Sequence, residues 1–261
     1  MTRVEHGGQA FCVKEYRRLG WLDRVKDWLR GSRAQRAWNA ARLFADRGIA
    51  TPEPVALVEG TLKQELERGT PADCGQSRVP RPSSYLGVCR DASGYRNYVV
   101  TRYVEGAVPL NRLLEERFHR SLGAGELAAK RSMLRELGRW LRRVHDLAVY
   151  HDDWSTKNIL AVQAPGGWQF YFLDLESVVP RKRLTDRRRA KNLGQLSDAP
   201  FGITRTDRMR FLVAYAGGDR ALTRGRFPRQ VLAAARRRDE EWARVQDRAR
   251  GQRQALAGTK V

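Results

Sequence analysis

The sequence predicts an α+β protein with two lobes, a strand-rich first lobe and a helical second lobe. In the first part, short apolar runs rich in β-branched and aromatic residues are bounded by turn residues, as at Ala10–Tyr16. After residue 105, leucines recur at helical intervals, most clearly between residues 125 and 147. We therefore expect an N-terminal lobe over residues 1–105, a C-terminal lobe over residues 106–250 and a frayed tail over residues 251–261.

Length and composition limit the classes of protein to which the chain can belong. Its 261 residues suffice for one large domain or two small lobes, and 41% apolar residues predict a folded chain. No apolar run approaches the roughly 18 residues that cross a bilayer, and residues 1–8 lack an apolar signal region. Three cysteines without metal-ligand spacing agree with reduced thiols, so we expect a cytoplasmic protein.

The charge of the chain is strongly positive. Fifty Lys and Arg residues against 29 Asp and Glu residues give a formal net charge of +21. Such a surface favours polyanionic partners, which are nucleic acid, anionic lipid or phosphorylated glycolipid. No zinc-ligand spacing and no basic segment interleaved with aromatic residues supports nucleic acid, which is therefore the least favoured of the three.

The elements of the first lobe follow one another along the chain. Lys14 lies on the first apolar strand. Residues 19–30 predict a helix with a basic polar face, because apolar residues recur there at helical spacing. Ser32 can cap a second helix that runs to Arg47 and is stopped by Gly48, and a strand follows at Val55–Val58.

The end of the first lobe is less regular. Residues 60–84 are polar and punctuated by Pro and Gly, which predicts a loop insertion. Tyr85–Cys89 and Tyr98–Val104 then predict a hairpin joined through Asp91–Gly94.

The second lobe contains one predicted hairpin among helices. The helix over about residues 125–147 is followed by two short strands, Ile159–Val162 and Phe170–Leu173, which are joined by turn residues at 164–167. Three further segments follow: the basic run Arg181–Lys191, a short helix at Thr206–Ala216 and an Arg-rich helix at Pro228–Arg250.

One stretch of the second lobe has the spacing of a phosphoryl-transfer site. Asp153 comes two residues after His151, and Asn158 comes five residues after Asp153. Asp174 closes the second strand of the predicted hairpin, which would bring Asn158 and Asp174 onto one metal ion. On kinase-type scaffolds, this layout supplies one carboxylate for the attacking hydroxyl, with an amide and a second carboxylate for Mg²⁺.

Each polar residue of this stretch receives an expected role. Asp153 is the candidate catalytic base, because an adjacent carboxylate orients a hydroxyl and takes its proton. Asp152 is the rival carboxylate, but it lacks the five-residue interval to Asn158. Asn158 and Asp174 offer the hard oxygen ligands that Mg²⁺ prefers, so ATP and Mg²⁺ are the predicted cofactors. His151 is expected to stabilise its loop by hydrogen bonding.

Lys14 is the candidate ligand for the ATP phosphates, because it lies on the strand before the capped helix. Protein kinases hold this lysine with a helix Glu, and residues 32–47 contain none, so the partner of Lys14 is open. Glu176 either adds a metal or water contact or pairs with a nearby Arg. Lys157 either reaches the transferred phosphate or stays solvated.

The start of the chain is short for a kinase N-lobe. Only 13 residues precede Lys14, with Gly7 and Gly8 as their sole glycines. They have room for one strand and a turn, but not for the whole element that covers the phosphates. Three explanations stay open. The lobe is truncated at its start, its first residues are wrongly assigned, or it lacks the element that covers the phosphates.

Several segments together resemble one family. They are Phe11–Tyr16, Ser32–Trp38, Gly48–Pro54, Tyr103–Gly106, His151–Leu160, Asp174–Glu176 and Asn192–Leu196. These segments are similar to the bacterial lipopolysaccharide kinase family, the Kdo and core-heptose kinases, over about residues 4–216. The resemblance implies a protein-kinase-like fold and ATP-dependent phosphorylation of a sugar hydroxyl of the lipopolysaccharide inner core. It also implies a location at the cytoplasmic face of the inner membrane of a Gram-negative bacterium.

The expected partners follow from the resemblance and the charge together. They are a lipopolysaccharide core or lipid-A-linked sugar as the substrate, and the anionic inner-membrane surface, which attracts basic proteins. One alternative is another kinase-fold phosphotransferase that acts on a small molecule or on Ser and Thr residues. A second alternative is a pseudokinase binding module, which the missing helix Glu and the short N-terminus would suit.

Overall fold

A computed structural model describes residues 1–17, 31–59, 89–90, 96–119, 122–198 and 202–258. The predicted helix at residues 19–30 and the predicted loop insertion at residues 60–84 lie outside these ranges. Among the helices within them, none combines the length and the apolar composition that a membrane crossing requires.

The chain divides into two compact units. One comprises Met1–Ala107 with Phe170–Val179, and the other comprises Val108–Gln169 with Pro180–Val261. The sequence-based boundary lies at residue 105. The sequence did not predict that Phe170–Val179, which contains Asp174, groups with the first unit.

The first unit contains a five-stranded sheet in the order β1-β2-β5-β3-β4. The strands are β1 (Thr2–His6), β2 (Gln9–Arg17), β3 (Pro54–Glu59), β4 (Cys89–Arg90) and β5 (Arg96–Arg102).

A tight hairpin opens the first unit. β1 and β2 pair antiparallel, and Gly7 and Gly8 between them have φ values of 57° and 71°. A two-residue turn with positive φ at both positions matches the twist of the flanking strands. The residues before Lys14 thus form one strand and a turn, as the sequence predicts.

The predicted hairpin of Tyr85–Cys89 with Tyr98–Val104 is wrong in its pairing. β5 pairs antiparallel with β2 on one side and with β3 on the other, so both of its edges are occupied. β4, the described end of the first predicted strand, pairs in parallel with β3 instead. The buried Leu57 of β3 lies opposite the buried Val99 of β5, so burial rather than closeness in sequence decides the partner of β5.

A capped helix lies beside the sheet in the first unit. This helix, α1 (Arg33–Asp46), begins at Ser32, whose Oγ accepts a hydrogen bond from the backbone N–H of Gln35 at 3.0 Å. Gly48 follows its end with a φ of 63°, as expected for a glycine that stops a helix. The buried residues of α1 are Ala34, Ala37, Trp38, Ala40, Ala41 and Phe44.

The remaining helices and strands begin at residue 108. In chain order they are β6 (Val108–Pro109), α2 (Leu110–Arg117), α3 (Ala124–Asp146), β7 (Val149–His151), β8 (Ile159–Ala164), β9 (Gly167–Phe172), β10 (Val178–Pro180), α4 (Asp186–Gln195), α5 (Arg205–Ala216), α6 (Arg220–Thr223) and α7 (Arg226–Gly258).

Most predicted elements of this part are confirmed. α3 and α5 match the predicted helices, and β8 and β9 are neighbours in a three-stranded sheet with β6, as the predicted hairpin requires. α7 is longer than predicted, because it continues beyond Arg250 to Gly258. The residues after Gly251 are mostly good helix formers, so a single glycine does not end the helix.

Two glycines let helices of the second unit approach closely. A Cβ atom at Gly138 would lie 2.7 Å from the carbonyl oxygen of Phe211, so α3 and α5 pack nearly backbone to backbone. A Cβ atom at Gly194 would lie 2.6 Å from the Cβ of Ala234, which brings α4 equally close to α7. Neither position can hold a larger side chain without a shift of the helices.

A buried ion pair joins α3 to α5. Lys130 Nζ lies 2.8 Å from Asp207 Oδ2, and the two side chains are 4% and 3% exposed. Asp207 also forms a capping box with Thr204 at the start of α5. Burial raises the pKa of Asp207, but hydrogen bonds from Lys130 and Thr204 outweigh it and hold this pKa below its ordinary value. The carboxylate of Asp207 therefore stays ionised at neutral pH despite its burial.

Candidate active site

The loop between β7 and β8 carries the predicted catalytic residues of the second unit. His151, at the end of β7, is 1% exposed, and its Nδ1 accepts a hydrogen bond from the backbone N–H of Asp153 at 3.1 Å. Asn192 on α4 donates from Nδ2 to the carbonyl oxygen of His151 at 2.7 Å. The expected structural role of His151 agrees with these contacts.

Asp153 and Asn158 are in direct contact. Asn158 Nδ2 donates to the carbonyl oxygen and to the carboxylate Oδ2 of Asp153, both at 3.1 Å. A 3-10 turn over Thr156–Asn158 closes the five-residue interval between them. Because the amide nitrogen of Asn158 is engaged as the donor, its amide oxygen remains as an acceptor, the kind of atom that Mg²⁺ prefers.

A second contact to Asp153 comes from the long last helix. Arg238 on α7 is 14% exposed, and its Nη2 lies 3.0 Å from Asp153 Oδ1. Lys157 is more distant, with its Nζ 3.8 Å from Asp153 Oδ2 and its side chain 56% exposed. Both carboxylate oxygens of Asp153 therefore have defined neighbours, which fix the orientation of the carboxylate.

Sequence reasoning missed Arg238 because the last helix contains many arginines. The signal that could have identified it is its position on the buried face of the helix. Ala234 and Ala235 are 9% and 5% exposed, and Arg238 lies one turn further along the same face of α7.

Gln195, at the end of α4, forms hydrogen bonds with the backbone of the same loop. Its Nε2 donates to the carbonyl oxygen of Asp152 at 2.6 Å, and its Oε1 accepts from the backbone N–H of Trp154 at 3.3 Å. Asn192 Nδ2 donates to Gln195 Oε1 at 3.0 Å, so the two amides brace each other. The backbone on both sides of Asp153 is thereby held by α4.

In the first unit, Lys14 meets the acidic residues that follow β9. Its Nζ pairs with Asp174 Oδ1 and lies 3.3 Å from Glu176 Oε2. Lys14 and Asp174 are each 28% exposed, whereas Glu176 is 7% exposed. The partner that the sequence left open is thus a pair of carboxylates from a distant segment, rather than a Glu on the next helix.

Glu176 is held by cations from two elements. Besides Lys14, it accepts hydrogen bonds from Arg33 at the start of α1, with Arg33 Nε 3.0 Å from Glu176 Oε1. Its hydrogen bond to Glu176 raises the pKa of Arg33. Burial, and then the negative charges of Glu176 and Asp174, raise the pKa of the neighbouring Tyr16. Of the two roles left open for Glu176, the described contacts match pairing with an Arg.

The backbone at Asp174 is left-handed. Its φ is 57° and its ψ is 45°, a conformation that few residues with a side chain adopt and that is often found at functional sites. The preceding strand end is anchored, because Thr51 Oγ1 donates to the carbonyl oxygen of Phe172 at 3.0 Å. The ring of Phe172 packs edge to face on Phe44 of α1 at 5.5 Å between ring centroids. These contacts fix where the carboxylate of Asp174 is placed.

The donor chemistry of the two clusters suits Mg²⁺. Asn158 supplies an amide oxygen in the second unit, and Asp174 supplies a carboxylate in the first unit. Among the described residues, no group of three or more His, Cys, Asp or Glu side chains could hold a metal ion alone. That these two residues share one metal ion stays a prediction.

Comparison with known proteins assigns the chain to a family. The sequence profile of the Lipopolysaccharide kinase (Kdo/WaaP) family matches residues 76–215, more than half of the chain. The chain belongs to this family. Asp153, Asn158 and Asp174 lie within the matched region, whereas Lys14 lies before it. The resemblance found in the sequence is thereby confirmed.

Several curated relatives carry the name 3-deoxy-D-manno-octulosonic acid kinase. One from Haemophilus influenzae strain PittEE is 28% identical over 121 residues, which cover 44% of this chain and 41% of that protein. Another, from Haemophilus influenzae strain 86-028NP, is 27% identical over 141 residues, which cover 52% and 48%. A third, from Actinobacillus succinogenes, is 28% identical over 118 residues, which cover 45% and 44%. The chain spans less than half the length of each of these relatives.

A solved structure shows the same fold. WaaP in complex with acyl carrier protein matches with a TM-score of 0.56 at 21% identity, over 92% of this chain and 83% of that chain. The predicted fold class, a two-lobed α+β fold of the protein-kinase-like type, is confirmed by this match.

Proposed function

We propose that the protein is an ATP-dependent kinase that phosphorylates a sugar hydroxyl of the lipopolysaccharide inner core, on 3-deoxy-D-manno-octulosonic acid or on a heptose. Family membership and the names of the relatives support this reaction class. The observation that carries the proposal is the contact between Asp153 and Asn158, at 3.1 Å. It combines an oriented carboxylate with a cation ligand in one turn of chain.

Asp153 acts on the sugar in this proposal. A sugar hydroxyl is a poor nucleophile, and a carboxylate that accepts its hydrogen bond both aims the oxygen and takes the proton as transfer proceeds. Arg238 and Asn158 keep the carboxylate from rotating, so that one lone pair can face the acceptor. Both contacts are positioning contacts, because neither side chain exchanges a proton in the reaction.

Lys14, Asp174 and Glu176 serve the nucleotide. In the described structure, the Lys14 ammonium is held by the two carboxylates, and in the reaction it contacts the ATP phosphates. Asn158 and Asp174 would hold Mg²⁺, which neutralises negative charge on the phosphates when it is bound. Glu176 remains as the buried anchor that keeps Lys14 and Arg33 in place.

That the two clusters serve one reaction is a chemical inference. The cluster around Asp153 supplies the candidate base, and the cluster around Lys14 supplies the candidate cation for the ATP phosphates. Phosphoryl transfer on kinase-type scaffolds requires both. The intervals along the sequence from Asp153 to Asn158 and on to Asp174 support the assignment.

We also propose that the protein works as a peripheral protein at the cytoplasmic face of the inner membrane of a Gram-negative bacterium. Its formal net charge of +21 supports attraction to an anionic leaflet and to an anionic glycolipid. Each Lys or Arg near such a surface contributes on the order of 1 kcal/mol.

The test is phosphate transfer from radiolabelled ATP to a purified lipopolysaccharide precursor that ends in 3-deoxy-D-manno-octulosonic acid. We expect Mg²⁺-dependent transfer by the wild-type protein and a loss of about 100-fold or more in Asp153→Asn. The matched control is Asp152→Asn, which removes the neighbouring carboxylate, 61% exposed, and should leave transfer close to wild type. No transfer by the folded wild-type protein, or equal losses in both variants, would contradict the proposed function or its assigned base.

A further inference from the structure

A basic pocket opens beside the catalytic loop in the second unit. It has a volume of about 600 Å³ and lies between α4 and α7, with Tyr150 of β7 in its wall. α4 contributes Arg187, Arg188 and Lys191, and α7 contributes Arg237 and Arg238. On α4, Arg187 and Arg188 lie four and three residues before Lys191, so each of them is a neighbour of Lys191 on the helix surface.

The pocket has more positive than negative charge. Its five cationic side chains face Glu241 in the pocket wall and the neighbouring Asp152 and Asp153. Lys191 Nζ lies 3.8 Å from Asp152 Oδ1, and Arg238 pairs with Asp153. Among the described residues, the ion pairs of this region involve Lys191 and Arg238, and none involves the other three arginines. A cationic surplus is therefore available to an anionic ligand.

Tyr150 organises part of this surface. Arg188 lies over its ring at 6.0 Å, and Lys191 lies 5.7 Å from the same ring centroid. The hydrogen bond to Tyr150, which is 5% exposed, raises the pKa of Lys191. Both cations are thus held against a buried ring, and Lys191 keeps its proton at neutral pH.

Arg238 connects the pocket to the predicted base. Its guanidinium lines the pocket and, at the same time, donates from Nη2 to Asp153 Oδ1 at 3.0 Å. A guanidinium is a planar group with five N–H donors, so the same side chain can hold Asp153 and form part of the pocket wall. An anion bound in the pocket would then be separated from the Asp153 carboxylate by the width of one side chain.

We infer that this pocket binds the anionic group of the acceptor sugar, a carboxylate or a phosphate, and so selects acidic sugars as substrates. The inference rests on the proposed function for the identity of the ligand as a sugar. The concave shape, the uncompensated arginines and the link to Asp153 favour a small anionic substituent next to the attacked hydroxyl. A flat membrane surface could not enter such a pocket, although it could meet the exposed rim.

The test is direct binding, measured by calorimetry on the full chain without ATP. The probes are 3-deoxy-D-manno-octulosonic acid, its methyl ester and inorganic phosphate. The wild-type protein should bind the acid at least about 10-fold more tightly than the ester. The pocket variant Arg188→Gln/Lys191→Gln should weaken binding of the acid about 10- to 100-fold and leave binding of the ester unchanged.

The control variant is Arg229→Gln, which removes an exposed arginine of α7 outside the pocket and should bind all probes like the wild type. Binding of phosphate that competes with the acid in the wild type, but not in the pocket variant, would extend the ligand to phosphorylated sugars and support the inference. Equal affinity for acid and ester, or unchanged binding in the pocket variant, would overturn it. Selective binding of the acid without any phosphate transfer would support the pocket while overturning the proposed function. Intact phosphate transfer without selective binding of the acid would support the proposed function while overturning the inference about the pocket.

Discussion

Replacing Glu176 by Gln removes the carboxylate that holds both Lys14 and Arg33. Glu176 is 7% exposed, and its partners are 28% and 46% exposed, respectively. The substitution keeps the size and one oxygen acceptor of the side chain but removes the charge. We expect it to impair the use of ATP, because Lys14 loses one of the two groups that aim its ammonium.

The magnitude follows from these exposures. A hydrogen bond to a charged group contributes about 1.5–3 kcal/mol, and an exposed ion pair contributes about 0.2–1 kcal/mol. For the part-buried Lys14 contact we take the lower end, about 1.5 kcal/mol. For the half-exposed Arg33 contact we take about 0.5 kcal/mol, to allow for solvent screening. The total of about 2 kcal/mol corresponds to about a 30-fold lower kcat/KM for ATP.

The assay is kcat/KM for ATP at saturating acceptor, together with the midpoint of thermal unfolding. Arg33→Gln is the matched control, because it removes one partner of Glu176 and leaves the contact to Lys14 in place. The control should lose only about two- to threefold in kcat/KM. A Glu176→Gln variant with the wild-type kcat/KM for ATP would refute the reasoning, and so would equal losses in the two variants.

Four further predictions concern catalysis, stability and membrane attachment. Asp153→Asn and Asp174→Asn should both abolish phosphate transfer, but only Asp174→Asn should weaken Mg²⁺-dependent ATP binding in equilibrium titrations. Lys130→Met should lower the free energy of unfolding by about 1.5–3 kcal/mol, measured in urea, because the buried Asp207 loses its ammonium partner and keeps only the guanidinium of Arg210 at 3.1 Å. Burial lowers the pKa of His145 from 6.5 to about 3, so the folded state binds fewer protons than the unfolded state between these values. The free energy of unfolding should therefore fall as the pH drops below 6.5, by about 1.4 kcal/mol per pH unit from this group, and His145→Gln should lack that contribution. The protein should float with anionic liposomes at low salt and separate from them as salt rises or when the lipid is neutral, and failure to bind anionic liposomes would contradict the membrane proposal.

Local signals in the sequence predict the parts of the site that are close along the chain. The interval from Asp153 to Asn158 is closed by one 3-10 turn, so the contact between them follows from spacing. The start of α1 at Ser32 and its stop near Gly48 follow equally from capping chemistry. In these cases the interacting groups lie within a few residues, and local geometry decides the outcome.

Distant partners could not be predicted in the same way. Glu176 reaches Lys14 across 162 positions, and Arg238 reaches Asp153 across 85. Spacing along the chain carries no information on such pairs, because they depend on how whole elements pack. The lack of a Glu at residues 32–47 is visible in the sequence, but the contact of Lys14 with Glu176 depends on the grouping of residues 170–179 with the first unit.

The wrong prediction of a hairpin at residues 85–104 has the same cause, because strand pairing also depends on how distant elements pack. A turn signal at Asp91–Gly94 favours pairing of its two flanks, and local reasoning sees only those flanks. β5 instead lies between β2 and β3, where its Val99 is buried on the sheet. Burial of the central strand outweighs the preference of a short turn.

The close approach at Gly194 has a consequence for how the family can diversify. Any side chain there would push α4 away from α7, because a Cβ atom would meet that of Ala234 at 2.6 Å. α4 carries Lys191, which lines the basic pocket, and Gln195, which is hydrogen-bonded to the loop that contains Asp153. A mutation at Gly194 that widens the pocket would thus also loosen the loop that contains Asp153. Exchange of exposed side chains such as Arg187 and Arg237 would change the charge of the pocket without changing the helix spacing.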